Sequence, residues 1–570
     1  MVQAAADFDD YFRGKYFVFQ RGTQSVCKEA ALGNIESAVR VLSRSRFLGR
    51  HSTNSCEAGS ILDLVASRTD TPLRLLEPSV LPPWAVELRQ MLNALVEFEF
   101  SSGKASTLSK LCQSGARYGL QKLEATISSK LLASLSQKAR NGLKRELERT
   151  IARATKPCFI LELHAFNLAF KAVCLRHELS PSKVMEQEFL GRKPSDRLFA
   201  MFKRYPVVAR LWSLLICQWC DQIAEFLLRF KADKRALSRA FFHGRPVGKI
   251  IDLRAGLSDP HNEGRSVMLL RFKTRSIIYK PRSGHGEQEW FNFVCHLNAG
   301  PLRPKLRAAK VLCRDGHCWM EQIRFAPCKN HAAARRFYGH LGETIAVAYL
   351  LRAVDCHRDN LIASGEHPVL IDTETLWHVS RRTKMQTPLD TLYQTGFFPS
   401  SNLRSSWQYQ SSVLGKTTSG QHIPRIGAKS LNAERYERDI SAGFRRVWRY
   451  LIESPEQPVE FSRSLRRLRR RETRRIFWPT ANYDRIRRAS IQPSVLRSGI
   501  KRDILIARLC RRSGVSFAVI KEEIRALKRF DIPYFTHNPL ALEIVNKTAA
   551  LRELLGAIRR AVRFQPIPRT

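Results

Sequence analysis

The feature that most constrains this chain is a change of period. Up to about Leu237 apolar residues recur at helical spacing, but from Val247 onward they come in short β-rich runs. Lys249-Ile250-Ile251-Asp252-Leu253, Ser266 to Phe272 and Ser276-Ile277-Ile278-Tyr279-Lys280 follow one another with only turn residues between them, which predicts an antiparallel sheet. Helical spacing then returns from Arg335 to Ala353, with Phe337, Leu341, Ile345 and Ala348 on one face. The expected class is α+β and mostly helical: a small antiparallel sheet and a helical lobe, preceded by an N-terminal helical region.

With 570 residues the chain is long enough for several structural units. Three divisions are expected: an N-terminal helical region over 1–150, helices leading into a small sheet-bearing lobe over 151–330, and a larger lobe over 331–570. Pro82-Pro83-Trp84 opens one of the early helices. The most apolar segment, Val207 to Phe230, is interrupted by Arg210, Asp221, Glu225 and Arg229, so it reads as an amphipathic interior helix and no membrane span is expected. Cys217 and Cys220 lie on it with no second pair, and His51 and His164 are isolated; packing or solvation is the reading at all four.

The chemistry concentrates in Val354 to His378, VDCHRDNLIASGEHPVLIDTETLWH. Asp355 is followed by His357 and Asn360, and the apolar run Pro368 to Ile371 ends in Asp372, with Glu374 two residues on. Ordinary turn chemistry uses the same residue types. The spacing is also that of phosphoryl transfer, in which an Asp accepts the hydroxyl proton, an Asn five residues later holds metal, and an Asp after the next strand holds the metal that bridges the phosphates.

What lies upstream has the matching order. Lys280 ends the third β-run, where an ammonium could reach ATP phosphates, although a surface lysine would look the same. Between the first two runs stands the polar turn Leu257 to Ser266, at the position of a phosphate loop; with a single glycine it suggests that Asp259 and His261 act through their side chains. The predicted 335–353 helix then delivers the chain directly to Asp355.

Ninety-six Lys and Arg against 51 Asp and Glu give a formal charge of +45, so a polyanionic neighbour is expected. The densest charge is Arg463, Arg466, Arg467, Arg469, Arg470, Arg471, Arg474 and Arg475. A solvated helix face is its default reading, and a groove for phosphate or an acidic peptide is the functional one; no nucleic-acid partner is expected because no known module surrounds it. Thirteen scattered cysteines and a polar, acidic start point to a reduced, cytoplasmic setting.

Taken together, several stretches resemble one family, the dehydratase part of class II (LanM-type) lanthipeptide synthetases. They are YPVVARLWSLLICQWCDQIAEFLLRFKAD, IIDLRAGLSDPHNEGRSV, SIIYKPRS, FYGHLGETIAVAYLL with the DCHRDN…LIDTETLWH stretch, TGFFP, YERDISAGFRRVW, RRIFWPTANY and FDIPYF, in order over roughly 80–560. The resemblance implies a lipid-kinase-like two-lobed core with added helices, and a two-step reaction. Ser or Thr of a ribosomal precursor peptide, made of leader and core, is phosphorylated from ATP with Mg2+; phosphate is then eliminated to leave dehydroalanine or dehydrobutyrine.

By position, the resemblance implies Asp355 as base or orienter, His357 beside the transferring phosphate, Lys280 on the ATP phosphates, and Asn360, Asp372 and Glu374 at the metal. Asp259 and His261 match the family's turn over the phosphates, and Arg474 with Thr480 its elimination pair. Arg358 and Asp359 depart from the usual aromatic-Glu before the Asn, and Trp478 and Arg475 depart from the usual elimination motif. The tail has no Cys and no His cluster, so the expectation is a dehydratase that lacks the C-terminal cyclase and works with a separate one. A kinase that stops at phosphorylation and an inactive peptide-binding remnant are the alternatives.

Overall fold

The computed structural model describes residues 17–18, 74–75, 82–96, 106–176, 189, 194–302, 304–378, 388–398, 412–414, 420–453, 466–467, 471–537 and 550–562. Most of the expected helical region before Pro82, with His51, lies outside the described residues, as do Arg463, Arg469 and Arg470 of the basic run. The protein is α+β and mostly helical, with a small antiparallel sheet. Among the described residues no helix is long and apolar enough to cross a membrane.

The chain forms two compact units, each discontinuous in sequence. One comprises Met1–Asp233, Lys249–Ser266 and Trp478–Pro533; the other comprises Lys234–Gly248, Val267–Phe477 and Tyr534–Thr570.

The first unit is built on long helices. The Thr107–Thr126 helix starts at Ser106, whose side chain accepts the Ser109 amide and so satisfies one of the free donors of the first turn. Its small residues let it pack closely on two others: a Cβ on Gly119 would lie 2.5 Å from Leu147 of Gln137–Arg176, and one on Gly115 would lie 2.6 Å from the ring of Trp212, which belongs to a later helix. Trp212 is fully buried and its indole N–H donates to Thr155 Oγ1 at 2.8 Å, as a buried polar tip must. The expected interior helix runs from Pro206 to Phe241, beginning on a proline that needs no amide partner at that position and outlasting Phe230 because KADKRALSRAF carries no helix breaker. Burial pushes the Cys217 and Cys220 thiols up to about 12, which makes them packing groups rather than nucleophiles.

The first expected strand is shorter than its β-rich run. Strand begins only at Asp252 and ends at Arg254, because Ile250 is engaged elsewhere. Its N–H donates to Ser134 O and its carbonyl accepts from Ser136 N, both at 2.9 Å, in a parallel bridge with Leu135.

In the second unit four antiparallel strands lie in the order Met268–Arg271, Ser276–Lys280, His317–Glu321, Val311–Arg314. The last two form a hairpin around Asp315-Gly316, with Gly316 at φ 68, the Asp-Gly turn chemistry that such a reversal favours. The register sets Lys280 opposite Cys318, so Lys280 stands at the end of a central strand.

The helix expected from Arg335 starts earlier and spans His331–Leu350, because Asn330 caps it through the Ala333 amide at 2.9 Å. It crosses Glu437–Trp448 at very close range. A Cβ on Gly342 would lie 1.9 Å from Ile440 O, and one on Gly443 would lie 2.0 Å from Gly339 O; only glycine permits that approach. Phe337, Leu341, Ile345 and Tyr349 join Phe444, Trp448 and Leu451 in one buried core. The segment that carries Asp355 therefore leaves a helix whose position is fixed by backbone contact, and continues into the hairpin of Leu361–Ser364 and His367–Leu370.

Candidate active site

Within the second unit, the Asp355 loop is held at both ends. Thr375 Oγ1 donates to Val354 O, Cys356 N donates to Thr395 O at 2.8 Å, and Ile371 N donates to Asn360 O at 2.9 Å. Gly396, of the TGFFP stretch, sits at φ 88 with its Cβ position 3.1 Å from Cys356 N. Asp355 itself has φ 66, a left-handed conformation that few side chains tolerate and that Asp and Asn tolerate best. Such strain persists where surrounding structure imposes it.

The loop gathers three of the expected residues. His357 Nε2 lies 3.4 Å from Asp355 Oδ1, and Asn360 Nδ2 donates to the Asp355 carbonyl at 2.8 Å while facing His357 Nε2 at 3.4 Å. Burial pushes the Asp355 carboxyl above the ordinary carboxylate range, His357 and Arg474 pull it back, and Asp372 and Glu374 add to the rise. A carboxyl moved in that direction is suited to accepting a proton.

Lys280 is 4% exposed. Its Nζ donates to Glu287 Oε1 and to Ile371 O, each at 2.9 Å, and lies 3.4 Å from Asp372 Oδ1. Burial alone would lower its pKa; Asp372 and then Glu287 outweigh that and raise it, so the ammonium stays charged. Glu287 is in the first turn of the His285–Ala299 helix, which docks closely because Gly286 puts its Cβ position 2.4 Å from Thr373 O. A strand lysine paired to a helix glutamate beside a metal-type Asp is the arrangement that kinases require.

Arg282 joins three carboxylates of the cluster. Its Nη2 donates to Glu287 Oε1 and to Asp372 Oδ1, both at 2.7 Å, and its Nε pairs with Glu374 Oε2 at 2.7 Å. Glu374 is 7% exposed. It also accepts from Arg474 Nη1 through Oε1 and from the Tyr534 hydroxyl at 3.1 Å through Oε2. Its burial would raise its pKa, but Arg282 and then Arg474 prevail and hold it at about 2. Arg474 comes from the Thr473–Arg475 strand, which pairs with Phe535–His537, and its guanidinium lies 5.2 Å from the centre of the Tyr534 ring.

Lys280, Asp355, His357, Asn360, Asp372, Glu374 and Arg474 thus belong to one cluster. Asp259, His261 and Thr480 belong to the other unit. There the turn is a hairpin closed by reciprocal hydrogen bonds of His261 and Arg265 at 3.0 and 2.8 Å, with Asn262, Glu263 and Gly264 at φ 46, 71 and 82. The amides of Glu263 and Gly264 converge on the Asp531 carboxylate at 2.6 and 2.9 Å, a backbone anion cradle already filled by the protein. His261 Nδ1 lies 2.7 Å from Ile532 O, Asp259 lies 3.6 Å from Arg487, and Thr480 opens the Thr480–Ala489 helix.

Two oxygens of the cluster are open to a metal ion. The partners of Asp372 meet Oδ1 and those of Asn360 meet its amide nitrogen, so Asp372 Oδ2 and Asn360 Oδ1 have no hydrogen-bond partner among the described residues. Magnesium takes one or two protein oxygens plus phosphates and water; no group of three or more His, Cys, Asp or Glu that could hold a metal ion occurs among the described residues. Glu374, by contrast, has both oxygens engaged. Glu287, Arg282, Tyr534 and Asp531 went unassigned in the sequence; Arg282 sits inside SIIYKPRS, and Asp531 and Tyr534 sit inside FDIPYF, which was the available signal.

Of the basic run, Arg467 pairs with Glu289 at 3.1 Å and Arg471 is exposed, facing His285 at 3.4 Å.

Comparison with known proteins bears on the same segments. The lacticin 481/lactococcin biosynthesis protein LcnDR2 of Lactococcus lactis subsp. lactis is 24% identical over 388 residues, which cover 58% of this chain and 40% of that protein. A family profile described as "Domain of unknown function (DUF4135)" matches residues 205–426 and 415–538, more than half of the chain and all the residues described above as the site. The chain belongs to the DUF4135 family.

Proposed function

We propose that this chain is a lanthipeptide dehydratase, which phosphorylates Ser and Thr of a ribosomal precursor peptide from ATP and then eliminates phosphate to give dehydroalanine and dehydrobutyrine. The observation that carries the reading is the convergence of Lys280, Glu287 and Asp372 within hydrogen-bonding and ion-pair range, next to the strained Asp355 loop. It is joined by a relative named for lacticin 481 and lactococcin biosynthesis, although the match spans 40% of that protein.

When bound, magnesium-ATP supplies the phosphoryl group and neutralises its developing charge. Lys280, kept in place by Glu287, would meet the phosphates, and Asp372 with Asn360 would hold the metal. Asp355 orients the peptide hydroxyl and takes its proton, with His357 alongside. For elimination, the α proton leaves to a base while the C–O bond breaks and phosphate departs toward Arg474. Glu374 is better suited to holding Arg474 than to binding metal. The roles of Asp259, His261 and Thr480 rest on family resemblance, as does a separate cyclase partner; a cytoplasmic setting rests on the scattered cysteines and the acidic start of the sequence.

The test is to incubate the full chain with candidate precursor peptides, ATP and Mg2+ and to weigh the products. Loss of one water per modified residue supports the proposal; stable phosphate gain indicates a kinase alone, and no change with no ATP consumed indicates a binding remnant. Asp355→Asn is expected to abolish both phosphate gain and water loss, and Arg474→Ala to leave phosphorylated peptide. Normal turnover by Asp355→Asn would overturn the assignment.

A further inference from the structure

We propose that Arg282 is a positioning residue that links the two steps: its guanidinium orients Asp372 for the metal and, through Glu374, governs how tightly Arg474 is held. The inference deepens the dehydratase reading and rests on it.

Charge alone does not account for Arg282. Lys280 already stands 3.4 Å from Asp372 Oδ1 and 2.9 Å from Glu287, so a second cation on the same two oxygens contributes little further neutralisation. What it adds is direction. A planar fork with fixed N–H vectors touches Glu287, Asp372 and Glu374 at once, all at 2.7 Å, which a single ammonium cannot reproduce. With Oδ1 of Asp372 fixed from two sides, the carboxylate plane is set and Oδ2 is left for a ligand.

On the other side, Glu374 divides its charge between Arg282 and Arg474. Remove Arg282 and the buried carboxylate has one guanidinium left, which it binds more tightly. Arg474 is then withheld from departing phosphate. Loss of Arg282 should therefore weaken metal binding and also trap the phosphorylated peptide, two effects that a general packing role does not link.

The experiment uses the full chain with Arg282→Lys, Arg282→Met, Glu374→Gln and the Arg282→Lys/Glu374→Gln double variant. Magnesium is titrated calorimetrically into protein saturated with a non-hydrolysable ATP analogue; both Arg282 variants are expected to bind it about 10-fold more weakly, the usual effect of losing a group that orients a metal ligand. With peptide and ATP, Arg282→Lys is expected to raise the ratio of phosphorylated to dehydrated product. The double variant should lower that ratio again, because neutralising Glu374 releases Arg474.

Wild-type magnesium affinity and product ratio in Arg282→Lys would show that charge suffices and would sink the proposal. Should the Arg282 variants fail to fold, Glu374→Gln alone decides: it must give no more phosphorylated peptide than wild type, and trapping by it overturns the link. If the wild-type chain neither binds the magnesium nucleotide nor modifies peptide, the dehydratase reading fails first and this inference falls with it.

Discussion

Two regions of this chain each bury a carboxylate, and they stabilise it by opposite means. Glu374 lies among the side chains of Arg282, Arg474 and Tyr534 and is held at about 2. Asp531 lies in the amide cradle of Glu263 and Gly264, and there burial wins over the two amides and lifts it to about 6. Formal charges outweigh desolvation where fixed backbone dipoles do not. The first arrangement keeps the Glu374 carboxylate charged at every physiological pH, and in the proposed reaction its ion pairs are exchanged for those of the phosphate. The second is tied to the backbone and suits a scaffold.

Breaking each region tests that contrast. Glu374→Ala leaves two guanidiniums without their counter-ion in the interior, and an unfolding titration in urea should show a loss of about 3–5 kcal/mol. A sharper comparison comes from pH. Glu374 has a depressed folded pKa, so its contribution is complete above about 4.5 and disappears as pH falls toward 2; the stability gap between wild type and Glu374→Gln should close over that window. Asp531 has a raised folded pKa, so its ionisation opposes folding. Wild type should lose roughly 2–3 kcal/mol relative to Asp531→Asn as pH rises from about 3.8 through 6. Opposite slopes in the two pairs support the contrast, and parallel slopes would refute it.

Asp531→Ala strands the Glu263 and Gly264 amides and should cost about 1–3 kcal/mol at neutral pH, again read by urea unfolding. The smallest effect belongs to Gly264→Ala. At φ 82, with Gln218 3.3 Å from the new Cβ, it should lose about 1–2 kcal/mol, with the magnesium affinity of the other cluster unchanged in calorimetry.

Local pattern made the helices and the central strands legible, because period and caps are written in neighbouring residues: the Ser276–Lys280 run became a strand over the same residues. The hairpin of Val311–Arg314 and His317–Glu321 was also written locally, in Asp315-Gly316, yet only Val311 and Trp319 among its strand residues carry a strong strand preference. The site was half legible. Lys280, Asp355 and Asp372 stand at motif positions, but Arg282 is one of 96 basic residues, and its meaning comes from Asp372 and Glu374, about ninety positions away. Glu374 was read as a metal-side acid because sequence spacing cannot show that Arg474, a hundred residues on, takes its oxygen. Asp531 stands inside FDIPYF, but its role was hidden for the same reason: its partners are backbone amides more than 260 residues earlier, and amides carry no sequence signal.

The left-handed backbone at Asp355 decides how that position can be probed. Asparagine fits the same dihedral angles and keeps the side-chain shape, so it removes only ionisable character. Alanine or glutamate would strain the turn and displace His357 and Asn360 together with the acid, merging three lesions into one. An inactive alanine variant would consequently say little about proton transfer, whereas an inactive asparagine variant that folds normally isolates it.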